Sequence, residues 1–146
     1  MALTQISPVI LPLHLARRLT DAAIVEVDSI GDPYTVTVLD RAGNTVLQTR
    51  MDEAALASIV TSATKARTSV YFGAATSELA PAVQPGGVLA TVETSTSGRL
   101  AFIAGGIPIQ DADGVVIGAI GAGGGTPGQD HQVVAAGAGA ADQSPR

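Results

Sequence analysis

Cysteine is absent from the 146 residues, which excludes disulfides, thiolate nucleophiles, iron–sulfur clusters and thiolate zinc sites. Aromatic residues make up only 3% of the chain, and tryptophan is missing. Because much of the 46% hydrophobic content is alanine, the core has to consist of small, closely packed side chains. A chain of this length predicts one domain that buries roughly 70% of the surface its unfolded form exposes.

Positive charge and long apolar runs are also scarce. The chain has 8 basic and 13 acidic residues, a net charge of −5 and one adjacent basic pair, Arg17 and Arg18, so nothing resembles the cationic stripe that nucleic acid requires. The apolar run 115–122 is far shorter than the roughly 20 residues that cross a bilayer. Residues 6–15 are interrupted by proline, serine and histidine and do not resemble a signal peptide. We therefore expect a cytoplasmic protein without nucleic-acid or membrane partners.

The first half of the chain predicts helix, hairpin and helix. Apolar residues at helical spacing from Leu11 predict a helix that ends near Gly31. Residues 34–39 and 45–49 flank a turn sequence and predict a β-hairpin. Asp52 is placed to be the N-cap of a long helix that begins at Glu53.

This long helix has two kinds of face in the sequence. One face carries mainly apolar residues and the other carries small hydroxyl residues around a lysine. The apolar positions are Leu56, Ile59, Val60, Ala63, Arg67 and Val70, and the polar positions are Ser58, Thr61, Ser62, Lys65, Thr68 and Ser69.

The second half predicts three strands and a last helix. A short helical turn is expected at 77–79, strands at 91–94, 100–104 and 115–122, and a helix that starts near Gln129 or Asp130. The strand at 115–122 is apolar on both faces and is expected in the centre of the sheet. Residues 1–10 are interpreted as an N-terminal extension, 11–140 as the domain and 141–146 as a flexible tail.

Five local signatures occur in an order typical of one protein family. They are Val38-Leu39-Asp40-Arg41-Ala42-Gly43, Arg50-Met51-Asp52, Lys65-Ala66-Arg67-Thr68, Gly105-Gly106-Ile107-Pro108-Ile109, and the run from Val116 to Gly124 ahead of Asp130. Over about residues 11–139 the chain resembles the GlcG/HbpS family, which includes the C-terminal domain of some cobalamin adenosyltransferases. The resemblance implies an α/β (α+β) domain with helices on the faces of an antiparallel sheet, here of five strands. It also implies homo-oligomers and, in some members, binding or slow degradation of haem.

One position departs from the family pattern. The family usually has a serine in the segment that reads Gly121-Ala122-Gly123-Gly124 here. If that hydroxyl contacts a ligand in relatives, this chain either binds another molecule or compensates with Thr126.

Glycine-rich segments are the first candidates for a binding site. Gly105 and Gly106, and the run of Gly123, Gly124 and Gly125, allow close backbone approach and can present N–H groups to an anion. Neither segment matches a phosphate loop or a dinucleotide fingerprint. The alternative interpretation is that these glycines only form structural turns.

The histidines and charged residues are the second set of candidates. Asp130 and His131 can serve acid–base chemistry, and His131 or His14 can be an axial ligand of haem iron, although each histidine can equally be an ordinary surface residue. Lys65 can attract a carboxylate or a developing enolate, or can be a solvated lysine.

The remaining charged residues carry weaker signals. Arg50 and Arg67 are candidates for carboxylate recognition, while Asp40 fits a turn residue. Two histidines alone do not make a zinc site, so no metal site other than haem iron is predicted.

Three functional hypotheses remain open. The first is an oligomeric protein that binds haem or another small anionic ligand in a pocket lined by the glycine loops, Lys65 and His131, although few aromatic residues are available to pack on a haem face. The second is a cofactor-independent isomerase, lyase or cyclase that uses Lys65, Asp130 or His131 as acid or base. The third is a structural partner subunit without a pocket.

Overall fold

The computed structural model describes residues 11–142. The predicted N-terminal extension and the last four residues of the predicted tail lie outside these residues. Within 11–142 the chain forms five α-helices, a short 3-10 helix and four strands. They are α1 (Leu13–Ile30), β1 (Thr35–Asp40), β2 (Thr45–Arg50), α2 (Ala57–Phe72), α3 (Thr76–Leu79), the 3-10 helix (Ala80–Val83), α4 (Val92–Ser95), β3 (Gly106–Gln110), β4 (Val116–Gly123) and α5 (Pro127–Gly139).

The four strands form one antiparallel sheet in the order β2-β1-β4-β3. Helix α2 covers one face of the sheet, and α1 and α5 pack together on the other face. Side chains of β1 alternate between these layers, because successive residues of a strand point to opposite faces. Val36 and Val38 join the core with α1 and α5, and Leu39 joins a smaller core with Ala66 of α2.

Several sequence predictions are confirmed. Helix α1 ends at Gly31, which adopts a left-handed conformation with φ of 87° and donates its N–H to the carbonyl of Val27. The predicted hairpin is formed by β1 and β2. The strand predicted at 115–122 is β4, which lies between β1 and β3.

The prediction of five strands is wrong, because the described residues form four. Residues 92–94 of the expected strand at 91–94 belong to α4, and residues 100–104 form no strand. The fourth strand of the sheet, β3, instead covers the glycine–proline segment from Gly106. Pro108 is tolerated there because β3 pairs only with β4 and is an edge strand.

The prediction that Asp52 caps the long helix is also wrong. Helix α2 begins at Ala57, and its N-cap residue is Leu56, which makes no side-chain cap. A turn at residues 51–54 precedes it, in which Ala54 donates to the carbonyl of Met51 at 3.2 Å. Glu53 has a φ of 65°, a left-handed conformation that cannot continue into a helix.

Helix α2 buries its polar face and exposes much of its apolar face. Leu56, just before the helix, is 73% exposed and Val60 is 67% exposed. The hydroxyl of Ser62 lies 2.7 Å from that of Thr37 on β1, and the same contact joins Ser58 to Thr35. Because each buried hydroxyl has a hydrogen-bond partner, the polar face is accommodated against the sheet without a large desolvation penalty.

Small residues allow α2 to approach β4 closely. A Cβ atom at Gly121 would lie 2.1 Å from the carbonyl oxygen of Ser62 and 2.7 Å from the amide nitrogen of Ala66. Both atoms belong to the helix backbone, which cannot turn aside as a flexible side chain does. The contact between α2 and the sheet therefore depends on glycine at this position.

We expect Gly121→Ala to lower the free energy of unfolding by about 3 kcal/mol or more, since the added methyl group forces the two backbones apart. Gly128→Ala is the control, because Gly128 in α5 has open space around its Cβ position and alanine is the better helix former. Urea denaturation of both variants measures the difference. A Gly121→Ala protein as stable as the Gly128→Ala protein would contradict the close packing.

Tyr34 is the largest fully buried side chain of the described core. Its hydroxyl has no hydrogen-bond partner of good geometry among the described residues, although the carboxylate of Asp130 lies near it. Burial raises the pKa of Tyr34 well above its usual range, and the negative charge of Asp130 raises it further. Tyr34 is therefore protonated in the folded protein even in alkaline solution.

Because the folded-state pKa is raised, the stabilisation from Tyr34 is present below the unfolded-state pKa of about 10 and is lost as the pH rises above it. Above that pH the unfolded chain loses the proton and the folded chain keeps it. The free energy of unfolding then falls by up to about 1.4 kcal/mol per pH unit.

Urea denaturation near pH 9 and near pH 11 tests this behaviour. Tyr34→Phe should lose less stability between the two conditions than the unsubstituted protein does, because it lacks the ionising hydroxyl. Tyr71→Phe is the control, since Tyr71 is 57% exposed. Equal losses in all three proteins would contradict the raised pKa.

Candidate functional site

A glycine-rich loop joins β4 to α5 and forms the wall of a cleft. Thr126 ends the loop as the N-cap of α5, and it exchanges hydrogen bonds with Gln129 in a capping box. A Cβ atom at Gly125 would lie 2.1 Å from the Tyr34 hydroxyl oxygen, and one at Gly124 would lie 2.8 Å from the Tyr34 ring. The loop therefore packs directly on Tyr34, which only glycine permits.

A buried ion pair lies beneath this loop. The Lys65 ammonium of α2 donates to Oδ2 of Asp130 in α5 and to the carbonyl oxygen of Ala122 in β4, the latter at 3.2 Å. The second oxygen of Asp130 accepts the N–H of Gly125 at 3.0 Å. Lys65 is 5% exposed and Asp130 is 3% exposed. The pair thus joins two helices, the central strand and the glycine loop.

The other predicted glycine segment makes room for the ion pair. A Cβ atom at Gly105 would lie 2.7 Å from Cβ of Asp130 and 3.1 Å from Cδ of Lys65. A Cβ atom at Gly106 would lie 2.4 Å from the carbonyl oxygen of Lys65. Both glycines are buried, so they place backbone around the pair and do not line the cleft.

The cleft beside the glycine loop has a volume of about 250 Å³. Its walls combine backbone of the loop, the edge of the ion pair and a few apolar side chains. The lining residues are Thr61, Lys65, Ala101, Ile103, Gly123, Gly124, Gly125, Pro127 and Asp130. Such a cleft has the chemistry to hold a small molecule with one polar end.

Within the segment where the family usually has a serine, Ala122 lies outside this cleft, whereas Gly123 and Gly124 line it. Ala122 is fully buried, and its side chain packs in the core with α1 and α5. The hydroxyl of Thr126 caps the N-terminus of α5, where it accepts the N–H of Gln129 at 3.3 Å. The hydroxyl that was expected to compensate for the family serine is therefore already used in capping.

A second cleft lies at the beginning of α1 and measures about 590 Å³. His14 and Arg18 stand one helical turn apart on its wall, beside the aliphatic side chains of Leu15 and Ile117. The other lining residues are Gln110, Asp111, Ala112, Ala141 and Asp142. Arg18 donates from Nε to the carbonyl of Ala140 at 3.0 Å and from Nη2 to that of Ala141 at 3.3 Å.

The remaining candidates are dispersed. Arg50 is exposed at the end of β2 and lines neither cleft. His131 is half-buried and also lines neither, although its Nδ1 atom is buried without a partner among the described residues. Within residues 11–142 no three or more histidine, aspartate or glutamate side chains are grouped as metal ligands, and no helix is long and apolar enough to cross a membrane.

Two candidate residues have partners that the predictions from sequence do not include. Tyr34 is a neighbour of Asp130, but 96 positions separate them and no local pattern links them. Arg18 is a neighbour of His14, and their spacing of four residues on a predicted helix is the signal for this contact.

Comparison with known proteins gives one family for the chain. The family model described as "Haem degrading protein HbpS-like" matches residues 11–139. The corrinoid adenosyltransferase PduO of Salmonella typhimurium is 34% identical over 127 residues, which is 87% of this chain and 38% of PduO. The chain therefore spans well under half of that relative's length.

Solved structures agree with this assignment. The Klebsiella pneumoniae protein ORFY has a TM-score of 0.89 and 29% identity, and the match covers 99% of each chain. A complex of PduOC with haem has a TM-score of 0.84 and 32% identity, and the match covers 90% of this chain and 94% of that one. The expected resemblance is thus confirmed, and the chain belongs to the HbpS-like family.

Proposed function

We propose that this protein binds haem in the cleft at the beginning of α1, with His14 as the axial ligand. Two observations support the proposal: the HbpS-like family is described as haem degrading, and the similar structure of PduOC contains haem. The observation that carries it is the composition of the cleft, which joins an imidazole, an aliphatic wall and a guanidinium.

The two clefts described above differ in their fit to haem. Pockets for organic ligands commonly measure about 300–1,000 Å³. The cleft at α1 has a volume of about 590 Å³ and falls within this range, whereas the cleft at the glycine loop has a volume of about 250 Å³. Haem iron takes its axial ligand from histidine, methionine, cysteine or tyrosine. Of these two clefts, the one at α1 has such a side chain in its described lining, which is His14, and the one at the glycine loop has none.

The other residues of this cleft suit the rest of the macrocycle. Leu15 and Ile117 offer aliphatic surface to the apolar face of the porphyrin. Arg18 uses Nε and Nη2 for the carbonyls that follow α5, and a guanidinium has five N–H donors, so some stay free for a propionate. Bound haem would supply a redox-active iron at this surface.

Two carboxylates limit how haem can be oriented. Asp111 and Asp142 also line the cleft and repel a propionate. One oxygen of Asp111 is already occupied, because it accepts the N–H groups of Asp113 and Val115 at 2.9 Å. The propionates are therefore expected on the side of Arg18, with the apolar edge toward the turn at 111–114.

Titration with haemin tests this proposal through the Soret absorbance. The unsubstituted protein should bind saturably, and His14→Ala should bind at least about 10-fold more weakly and shift the Soret maximum, since the iron loses its axial ligand. His131→Ala is the matched control and should bind haemin normally. Thermal unfolding of each variant checks that the fold is retained.

The outcomes of this titration are distinguishable. Equal affinity and identical spectra for His14→Ala and the unsubstituted protein would contradict the role of His14. A loss confined to His131→Ala would move the site to α5. A titration without saturation in the unsubstituted protein would contradict haem binding altogether.

A second candidate function is acid–base chemistry on a small metabolite at the glycine loop. The observation that favours it is the buried pair of Lys65 and Asp130 at the cleft wall, with the protonated hydroxyl of Tyr34 beside it. Burying two charges is expensive even when they are paired, so apolar residues would serve stability at least as well. A proton donor and acceptor held together next to a ligand-sized space fit an isomerase, lyase or cyclase.

Removing one member of the pair should expose its energetic cost. Lys65→Met leaves the carboxylate of Asp130 buried and is expected to lower the free energy of unfolding by about 3–5 kcal/mol. Adding Asp130→Asn should recover part of this loss, because it removes the uncompensated charge and keeps an acceptor for the Gly125 N–H. Urea denaturation of the single and double variants measures the coupling.

Arg17→Met is the control for this experiment, because it removes a cation from the exposed side of α1. It should change stability by less than about 0.5 kcal/mol. If Lys65→Met changed stability no more than Arg17→Met does, the buried ion pair and the second candidate function would both lose their support.

A further inference from the structure

A third cleft, of about 760 Å³, lies between the β1–β2 turn, the C-terminal half of α2 and the segment that follows α4. It shares no lining residue with the other two clefts. Its wall is rich in donors and hydroxyl groups. The lining residues are Ala42, Gly43, Asn44, Arg67, Tyr71, Ser95, Thr96, Ser97, Arg99 and Leu100.

The charge in this cleft is of one sign. Arg67 and Arg99 line it, and no acidic residue does, although the chain has 13 acidic and 8 basic residues. Within residues 11–142 neither guanidinium forms an ion pair. Two uncompensated guanidinium groups in one concave surface of an acidic protein create a local positive potential.

The position of Tyr71 adds a phenol to this surface. Tyr71 lies one helical turn after Arg67 on α2, so the two side chains share a face. A Cβ atom at Gly43 would lie 3.0 Å from Cε1 and 3.1 Å from the hydroxyl oxygen of Tyr71. The turn of the hairpin therefore packs against the edge of the ring and sets its orientation.

The segment that brings Arg99 to the cleft has a constrained backbone. Ser97 has a φ of 56°, a left-handed conformation that is uncommon for a residue other than glycine. The N–H of Gly98 binds the carbonyl of Glu93 at 3.1 Å, and that of Arg99 binds the carbonyl of Thr96 at 3.3 Å. Such strain occurs more often at ligand sites than elsewhere.

We propose that this cleft binds the phosphate group of a small phosphorylated molecule. A guanidinium presents paired N–H donors that match two oxygens of a phosphate, and two arginines with a phenol can surround a group that carries three oxygens and two charges. The volume exceeds that of a phosphate alone, so the rest of the molecule has space beside Asn44 and the hydroxyl residues. This site is independent of the proposed haem cleft, which has different lining residues.

Titration of the ¹⁵N-labelled protein with ribose 5-phosphate, followed by NMR, tests the inference. Ribose is the uncharged control, and inorganic phosphate is the smallest probe. Saturable shifts of the amides of Gly43, Ser97 and Arg99 are expected with ribose 5-phosphate and none with ribose. Arg67→Gln and Arg99→Gln should each weaken binding by about 10-fold or more, since each removes a charged hydrogen bond.

Arg17→Gln is the matched control, because it changes the net charge equally at a distant exposed site. It should bind ribose 5-phosphate as the unsubstituted protein does, and so should His14→Ala. An equal weakening by Arg17→Gln, or no shift at concentrations up to about 10 mM, would overturn the proposal. Arg67 and Arg99 lie on separate segments of the chain. If one of the two variants misfolds, the other still tests the proposal.

Discussion

The buried ion pair of Lys65 and Asp130 connects parts of the chain that are 65 residues apart, and the geometry around it determines much of the fold. The ammonium also holds the carbonyl of Ala122 in the central strand, while the carboxylate holds the amide of Gly125. Moving either charge to water would break these contacts between α2, β4 and the beginning of α5. The glycines around the pair follow from this constraint, because any side chain at Gly105 would collide with it.

Helix α2 shows where hydrophobic periodicity fails as a guide. Its apolar positions predict a buried face, yet Val60 on that face is exposed and Ser62 is fully buried. The reason lies in the partner: the facing surface of β1 carries Thr35 and Thr37, whose hydroxyls pair with the serines of the helix. A single helix sequence contains no information about the polar groups on the strand that it will cover, so hydrophobic periodicity alone points to the wrong side.

The sequence was a better guide to elements than to contacts. The pattern of α1, the turn of the hairpin and the doubly apolar strand β4 each depend on neighbouring residues, and each was predictable. Strand β3 was missed because Gly106 and Pro108 indicate a turn, and only its place at the sheet edge makes them acceptable. Similarly, residue chemistry indicates Lys65, Asp130 and the loop at 123–125 one by one, but where they meet depends on tertiary structure. Arg50 and His131 are candidates on the same chemical grounds and do not line the cleft at the glycine loop.

The scarcity of aromatic residues bears on how such a chain can hold a large flat ligand. Stacking on tryptophan or phenylalanine is excluded at the cleft at the beginning of α1, where the apolar wall is supplied by the aliphatic side chains of Leu15 and Ile117. The free energy gained from aliphatic contact scales with the buried area and depends little on direction. The orientation of haem there would therefore depend on directional groups, which are the imidazole of His14 and the guanidinium of Arg18. Because Arg18 also binds the carbonyls that follow α5, a ligand at this cleft would be coupled to the C-terminal end of the helix that carries Asp130.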